Sequence, residues 1–280
     1  MTDSNLVSIK IDGAFSEEFC KQCNEVLKPI FEMVKNDHCS ELNLSGYRGF
    51  KIVNDLPVGV LGEVKRIDSD NTCVKISQEI LFELLNVKDE EEKRSCVRTI
   101  VHVIHHELCH IAVGNNIKDI LETRLKNMAA MELANEHQLQ FETIRDVALA
   151  LSTEYAVKLF DEYMACRISR GTAGRELVNS KVDNIKNMFE SHFNLPISTD
   201  SFRDSAYAVT QLLGYTLDRK DGLYLELLQS IENNVNRRYL TSFETIFREL
   251  EDKYPNVEWG DFATASKCVM QFYDLFVGGE

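Results

Sequence analysis

Three observations predict an α+β fold. Short segments with a period of two occur only before residue 78, apolar residues recur at three- and four-residue intervals from Gln78 onward, and 4 prolines and 13 glycines are few breakers for 280 residues. Together they describe a small N-terminal mixed β-sheet packed on a histidine-bearing helix, followed by a mainly helical C-terminal subdomain. The division falls in "ISRGTAGRE", residues 168 to 176, where two glycines and small polar residues separate two helical patterns. Residues 1–170 then make the mixed domain and residues 171–280 the helical one.

The elements follow in order. "LVSIKID" alternates and reads as a strand. "SEEFCKQCNEVLKPIFEMVKN" has a Ser cap, acids in its first turn and helical spacing, which predicts a helix over 16–35. "GFKIVND" at 49–55, "VLGEVKRI" at 60–67 and "TCVKIS" at 72–77 are further strands, set apart by Pro, Gly, Asp and Asn. In "VKDEEEKRS" the acids suit a solvated loop and first helical turn, since they complement the helix dipole. A helix from about Ser95 to Val113 comes next, with Gly114 and Asn115 as its stop. Neither Gly nor Pro occurs between Asn116 and Gly171, so helix continues there, with a bend near "ANEHQLQ". "VDNIKNMFESHF", "SFRDSAYAVTQLLGYTL", "GLYLELLQSIENNV" and "LTSFETIFRELEDKY" form the closing helical layer.

Composition narrows the function. A formal net charge of −14 opposes a phosphate-binding surface, so nucleic acid is not an expected partner. No run approaches the 18 or so apolar residues that cross a bilayer, and "MTDSNLVSIKIDG" lacks the basic start and apolar stretch of a secretory signal. A soluble cytoplasmic protein without a membrane partner is expected, its 8 cysteines reduced. Cys20 and Cys23 form C-x-x-C a turn inside their helix, away from the dipole that would activate a thiol, and read as buried small apolar side chains.

Four of the 7 histidines crowd into "VHVIHHELCH". His106, Glu107 and His110 form H-E-x-x-H. Residues four apart share a helix face, so the two imidazoles can converge on one zinc ion and leave positions for a third ligand and a water. Glu107, one step round, is placed to take a proton from a water that the metal has acidified and to pass it to a leaving amine. His102 lies roughly 12 Å along the axis from His110 and cannot share that ion comfortably, so it reads as a supporting or core histidine. His105 points roughly 100° from His106 and reads as a satisfied or partly exposed one. Cys109 is expected to pack against the sheet.

The third ligand comes from farther along. A glycine three residues and a histidine six residues after His110 are absent; those positions hold Val113 and Asn116. His137 and His192 lie in no supporting motif. "STEYAVKLFDEYMACRIS" offers Glu154, Asp161 and Glu162. On a helical wheel Glu162 borders the apolar arc near Tyr155, Leu159 and Cys166, whereas Glu154 and Asp161 gather with Lys158 on the polar side. A carboxylate facing a core needs a partner that offsets its desolvation, and a metal is one; a salt bridge to Arg167 is another. Glu162 is the favoured ligand, with Glu154, Asp161 and His137 as alternatives, and Asp161 is then available to orient a ligand histidine.

Strand, helix, short strands, an H-E-x-x-H helix and a later helix with Glu162-x-x-Ala165 resemble the zincin superfamily and its glutamate-ligand branch, the gluzincins, over roughly residues 6 to 170. Among cytosolic members the chain is distantly similar to the ImmA/IrrE-type peptidases, although Cys109 stands where those have Gly and the spacing to Glu162 is longer. The resemblance implies a zinc (Zn2+) metallopeptidase that cuts a protein or peptide, with His106, His110 and Glu162 as metal ligands and Glu107 as general base. It also implies a substrate lying along an edge strand beside the zinc helix, for which "GEVKRI" and "TCVKIS" are candidates, and an oxyanion partner among Tyr155, Tyr163, His192 and Tyr207. Two other functions fit the residues: a zinc-containing binding or regulatory protein that does not hydrolyse peptides, and a helical interaction protein without metal.

Overall fold

The computed structural model describes residues 9–11, 16–68, 71–120, 122, 144–192 and 199–277. Two compact units emerge: Met1–Asn115 with Ile168–Gly174, and Asn116–Arg167 with Arg175–Glu280. The expected cut at 170/171 coincides with the turn that ends one long helix, but that turn packs with the first unit while most of the helix before it packs with the second.

The first unit is mixed α and β. Strand β1 (Ile9–Ile11), helix α1 (Glu17–His38), strands β2 (Tyr47–Val53), β3 (Gly62–Arg66) and β4 (Thr72–Ser77), then helices α2 (Gln78–Asn86) and α3 (Glu90–Asn116) follow in order. The strands form one mixed sheet in the order β1-β2-β4-β3, parallel except that β3 runs antiparallel to β4. Parallel neighbours need a crossover, and α1 is the crossover between β1 and β2. β4 lies inside the sheet, with Cys73, Val74 and Ile76 buried, whereas β3 is an edge that exposes Glu63, Lys65 and Arg66. Of the two candidate edge strands only "GEVKR" is therefore an edge; "TCVKIS" is covered on both sides by β2 and β3.

Leu27, Phe31 and Val34 of α1, Ile52, Val74 and Ile76 of the sheet, Ile80 and Leu81 of α2, and Ile100, Ile104 and Leu108 of α3 build one apolar core. Phe31 stacks on Phe50 with ring centroids 3.8 Å apart. Fully burying a side chain of this size stabilises by about 1.5–3 kcal/mol. Ser16 caps α1 by accepting from the Phe19 amide, and Ser77 caps α2 by accepting from Glu79. α3 starts five residues before the expected Ser95 because Asp89 Oδ1 accepts from the Glu91 and Glu92 amides. Nor does Gly114 stop it. Asn115 donates to the Asn43 and Ser45 carbonyls at 2.8 and 2.9 Å, tying the last turn to the loop before β2.

The second unit is helical in its described residues: α4 (Ile144–Ser169, its last two residues belonging to the first unit), α5 (Arg175–His192), α6 (Thr199–Thr216), α7 (Leu223–Ser230), α8 (Asn234–Lys253) and α9 (Trp259–Val277). The expected bend near "ANEHQLQ" and the alternative ligand His137 lie outside the described residues. "GLYLELLQSIENNV" is not one helix. It breaks after Ser230, and Asn233 begins α8 by accepting from the amides of Val235 and Asn236. An aromatic row through Tyr163, Phe247, Phe243 and Tyr239 forms its centre, with Tyr163 and Phe247 stacked at 4.8 Å. Gly214 brings α6 close to α4, since a Cβ there would lie 2.5 Å from Cys166 Cβ and 2.8 Å from the Tyr163 carbonyl. No helix of the described residues is long and apolar enough to cross a membrane.

Candidate metal centre

From Ile100 to Val113 α3 is buried on most sides, so its polar side chains are enclosed rather than solvated. The four-residue spacing of His106 and His110 places both rings on one face, edge to face, with their Nε2 atoms 3.1 Å apart. Two nitrogens at zinc-bond length of about 2.0–2.1 Å in a tetrahedron stand roughly 3.3 Å apart, so this pair has the separation that shared ligation needs. Ser169 Oγ lies 3.4 Å from His106 Nδ1. An Nδ1–H directed at that hydroxyl leaves the Nε2 lone pair for a ligand.

The neighbouring histidines are held by one hydroxyl. Thr172 Oγ donates to the Ser169 carbonyl at 2.8 Å, so its oxygen is left to accept, and both His102 Nδ1 and His105 Nδ1 lie 3.1 Å from it. Both rings then carry a proton on Nδ1. His105 is not partly exposed as its helical position implied: only 4% of it is accessible, and it stacks on His38 at 5.2 Å. Burial, and secondarily the charge of His38, lowers its pKa to about 4, and its Nε2 has no hydrogen-bond partner. His102, 6% accessible, supports the cluster from one turn below His106, with ring centroids 5.9 Å apart.

Glu107 is 8% accessible and faces the start of the edge strand β3. A Cβ on Gly62 would stand 2.8 Å from Glu107 Cγ and 2.9 Å from its Oε1, so the glycine leaves the room that this carboxylate occupies. Cys109 is fully buried, and burial raises its thiol pKa, which keeps it protonated.

In the second unit Glu162 on α4 is 4% accessible. Gln211 Nε2 of α6 donates to its Oε1 at 2.7 Å, and Cys166 Sγ lies 3.5 Å from the same oxygen. Lys181 Nζ of α5 in turn donates to Gln211 Oε1 at 2.6 Å. Arg167 binds Glu251 at 2.9 Å and also Asp218. Glu154 pairs with Lys158 at 3.4 Å, one turn apart on the same helix. Among the described residues, His106, His110 and Glu162 are a set of side chains that could hold a metal ion. Two imidazole nitrogens and one carboxylate oxygen are a donor set that zinc accepts.

Two of the oxyanion candidates are occupied elsewhere. Tyr163, fully buried, donates its hydroxyl to Glu251 at 2.5 Å, and Tyr155 donates to the Arg203 carbonyl at 2.7 Å. Tyr207 is 45% accessible, and the side chain of His192 lies outside the described residues. Gly62, Ser169, Thr172, Gln211 and Lys181 were not singled out by sequence. For Gln211 a signal existed, an amide inside the apolar run "AVTQLLGY" with a glycine one turn later that marks close helix packing. Compared with protein families, with curated proteins and with solved structures, the chain matches none.

Proposed function

We propose that the chain is a zinc-dependent peptidase with a zincin-like arrangement, His106, His110 and Glu162 holding the ion and Glu107 acting as general base. The observation that carries the reading is the pairing of two Nε2 atoms 3.1 Å apart on one face of α3, with Glu162 the buried carboxylate that could complete the set. When bound, zinc supplies a Lewis acid that polarises a carbonyl and lowers the pKa of water towards neutrality. The protein's residues do the rest. Ser169 fixes the His106 ring so that Nε2 is the liganding nitrogen. Glu107, beside the ligands on α3 and packed against the first residue of β3, takes a proton and returns it to the departing amine. Beyond Gly62 the outer edge of β3 has no strand partner among the described residues, which suits pairing with an extended peptide.

Glu107→Gln separates catalysis from metal binding. The variant is expected to keep one zinc per chain and to cut a proteome-derived peptide library about 10²–10⁴-fold more slowly than the parent. Equal cleavage by parent and variant overturns the assignment of the base. A zinc-loaded parent that cuts no peptide at any metal loading overturns the peptidase and leaves a zinc-containing binding protein.

A further inference from the structure

Glu162 is a carboxylate inside a helical unit, and a buried anion is stable only where donors replace the water it has lost. The donors come in a chain. A lysine ammonium can only donate, so Lys181 compels the oxygen of the Gln211 side chain to face it, and the amide nitrogen must then face Glu162. An N–H aimed at a carboxylate oxygen fixes its orientation. Gly214, one turn after Gln211, carries no side chain where α6 meets Cys166 and Tyr163, and this close approach brings the short amide within 2.7 Å of Glu162.

We propose that Lys181 and Gln211 form a positioning relay that holds Glu162 oriented as a metal ligand. The proposal rests on the zinc reading above. It assigns a role to two residues on α5 and α6 that touch no reacting atom. Partners of this kind typically change metal affinity 10- to 100-fold when removed.

The test uses the full chain and measures zinc affinity by competition with a chromophoric chelator, together with the visible absorption of the cobalt(II)-substituted protein. Gln211→Leu is expected to weaken zinc binding about 10- to 100-fold and to alter the cobalt bands, and to lower the melting temperature of the metal-free protein because a buried carboxylate loses a donor. Lys181→Met is expected to shift both readouts in the same direction by less, and Lys181→Arg to restore them, because a guanidinium also donates to Gln211. Should Gln211→Leu fail to fold, the Lys181 pair carries the test alone. If Glu162→Gln loses zinc while the Gln211 and Lys181 variants keep the parent's affinity and spectrum, the relay is overturned and the metal site stands. If the parent binds no zinc, or Glu162→Gln binds it as the parent does, the zinc reading fails and the relay falls with it.

Discussion

The surroundings of Glu107 and Glu162 differ more than their burial does. Both carboxylates are less than a tenth accessible. Around Glu107 the backbone of β3 comes close: a glycine at its start stands where any side chain would collide with the acid. Around Glu162 the second unit supplies donors, an amide backed by an ammonium and a thiol on the next turn. The first acid packs against backbone and the second is tied by donors, a contrast in keeping with the different roles proposed for them.

The largest effect that sharpens this contrast comes from filling the space beside Glu107. Gly62→Ala is expected to slow cleavage about 100-fold by displacing the carboxylate by a fraction of an ångström to an ångström, with zinc content unchanged. A variant as active as the parent would break the contrast, because it would show that the glycine is not what makes room for the base.

The histidine pair was legible in sequence because it is local. The spacing of His106 and His110 dictates a shared helix face whatever the rest of the chain does, whereas "TCVKIS" was read as a strand but offered as an edge, and it lies inside the sheet. Glu162 was legible only by its place on the border of an apolar arc, and its alternatives stayed open because one carboxylate at that border looks like any other. What distinguishes it is supplied by Gln211 and Lys181, 49 residues along the chain in the case of the hydrogen bond from Gln211. Tertiary contacts of that range leave no periodicity behind. His105 shows the same limit: its angle on α3 was read correctly, but not the packing of His38 over that face.

A smaller effect concerns the histidines of the first unit. His105 folds neutral, with its pKa lowered to about 4 from the ordinary 6.5 by burial, so the unfolded chain takes up the proton first as pH falls. Its contribution to stability is complete above about pH 6.5 and is lost progressively towards pH 4. In urea unfolding with chelator present, the parent is expected to lose about 1.5 kcal/mol more than His105→Asn between pH 6.5 and 5. Parallel pH profiles would show that the ring is not buried neutral.

The smallest effect is a control on the second unit. Glu154 pairs with Lys158 within one helical turn, and since the lysine is solvent-exposed the pair carries little weight. Glu154→Ala is expected to change stability by less than about 0.5 kcal/mol and to leave zinc affinity as it is. A loss of zinc there would move the third ligand from Glu162 to Glu154.

Metal content tests the central claim most directly. Protein purified without chelator is expected to carry one zinc per chain by elemental analysis, and the double variant His106→Ala/His110→Ala to carry none while remaining folded. A parent without stoichiometric metal, or a double variant that keeps it, would contradict the account.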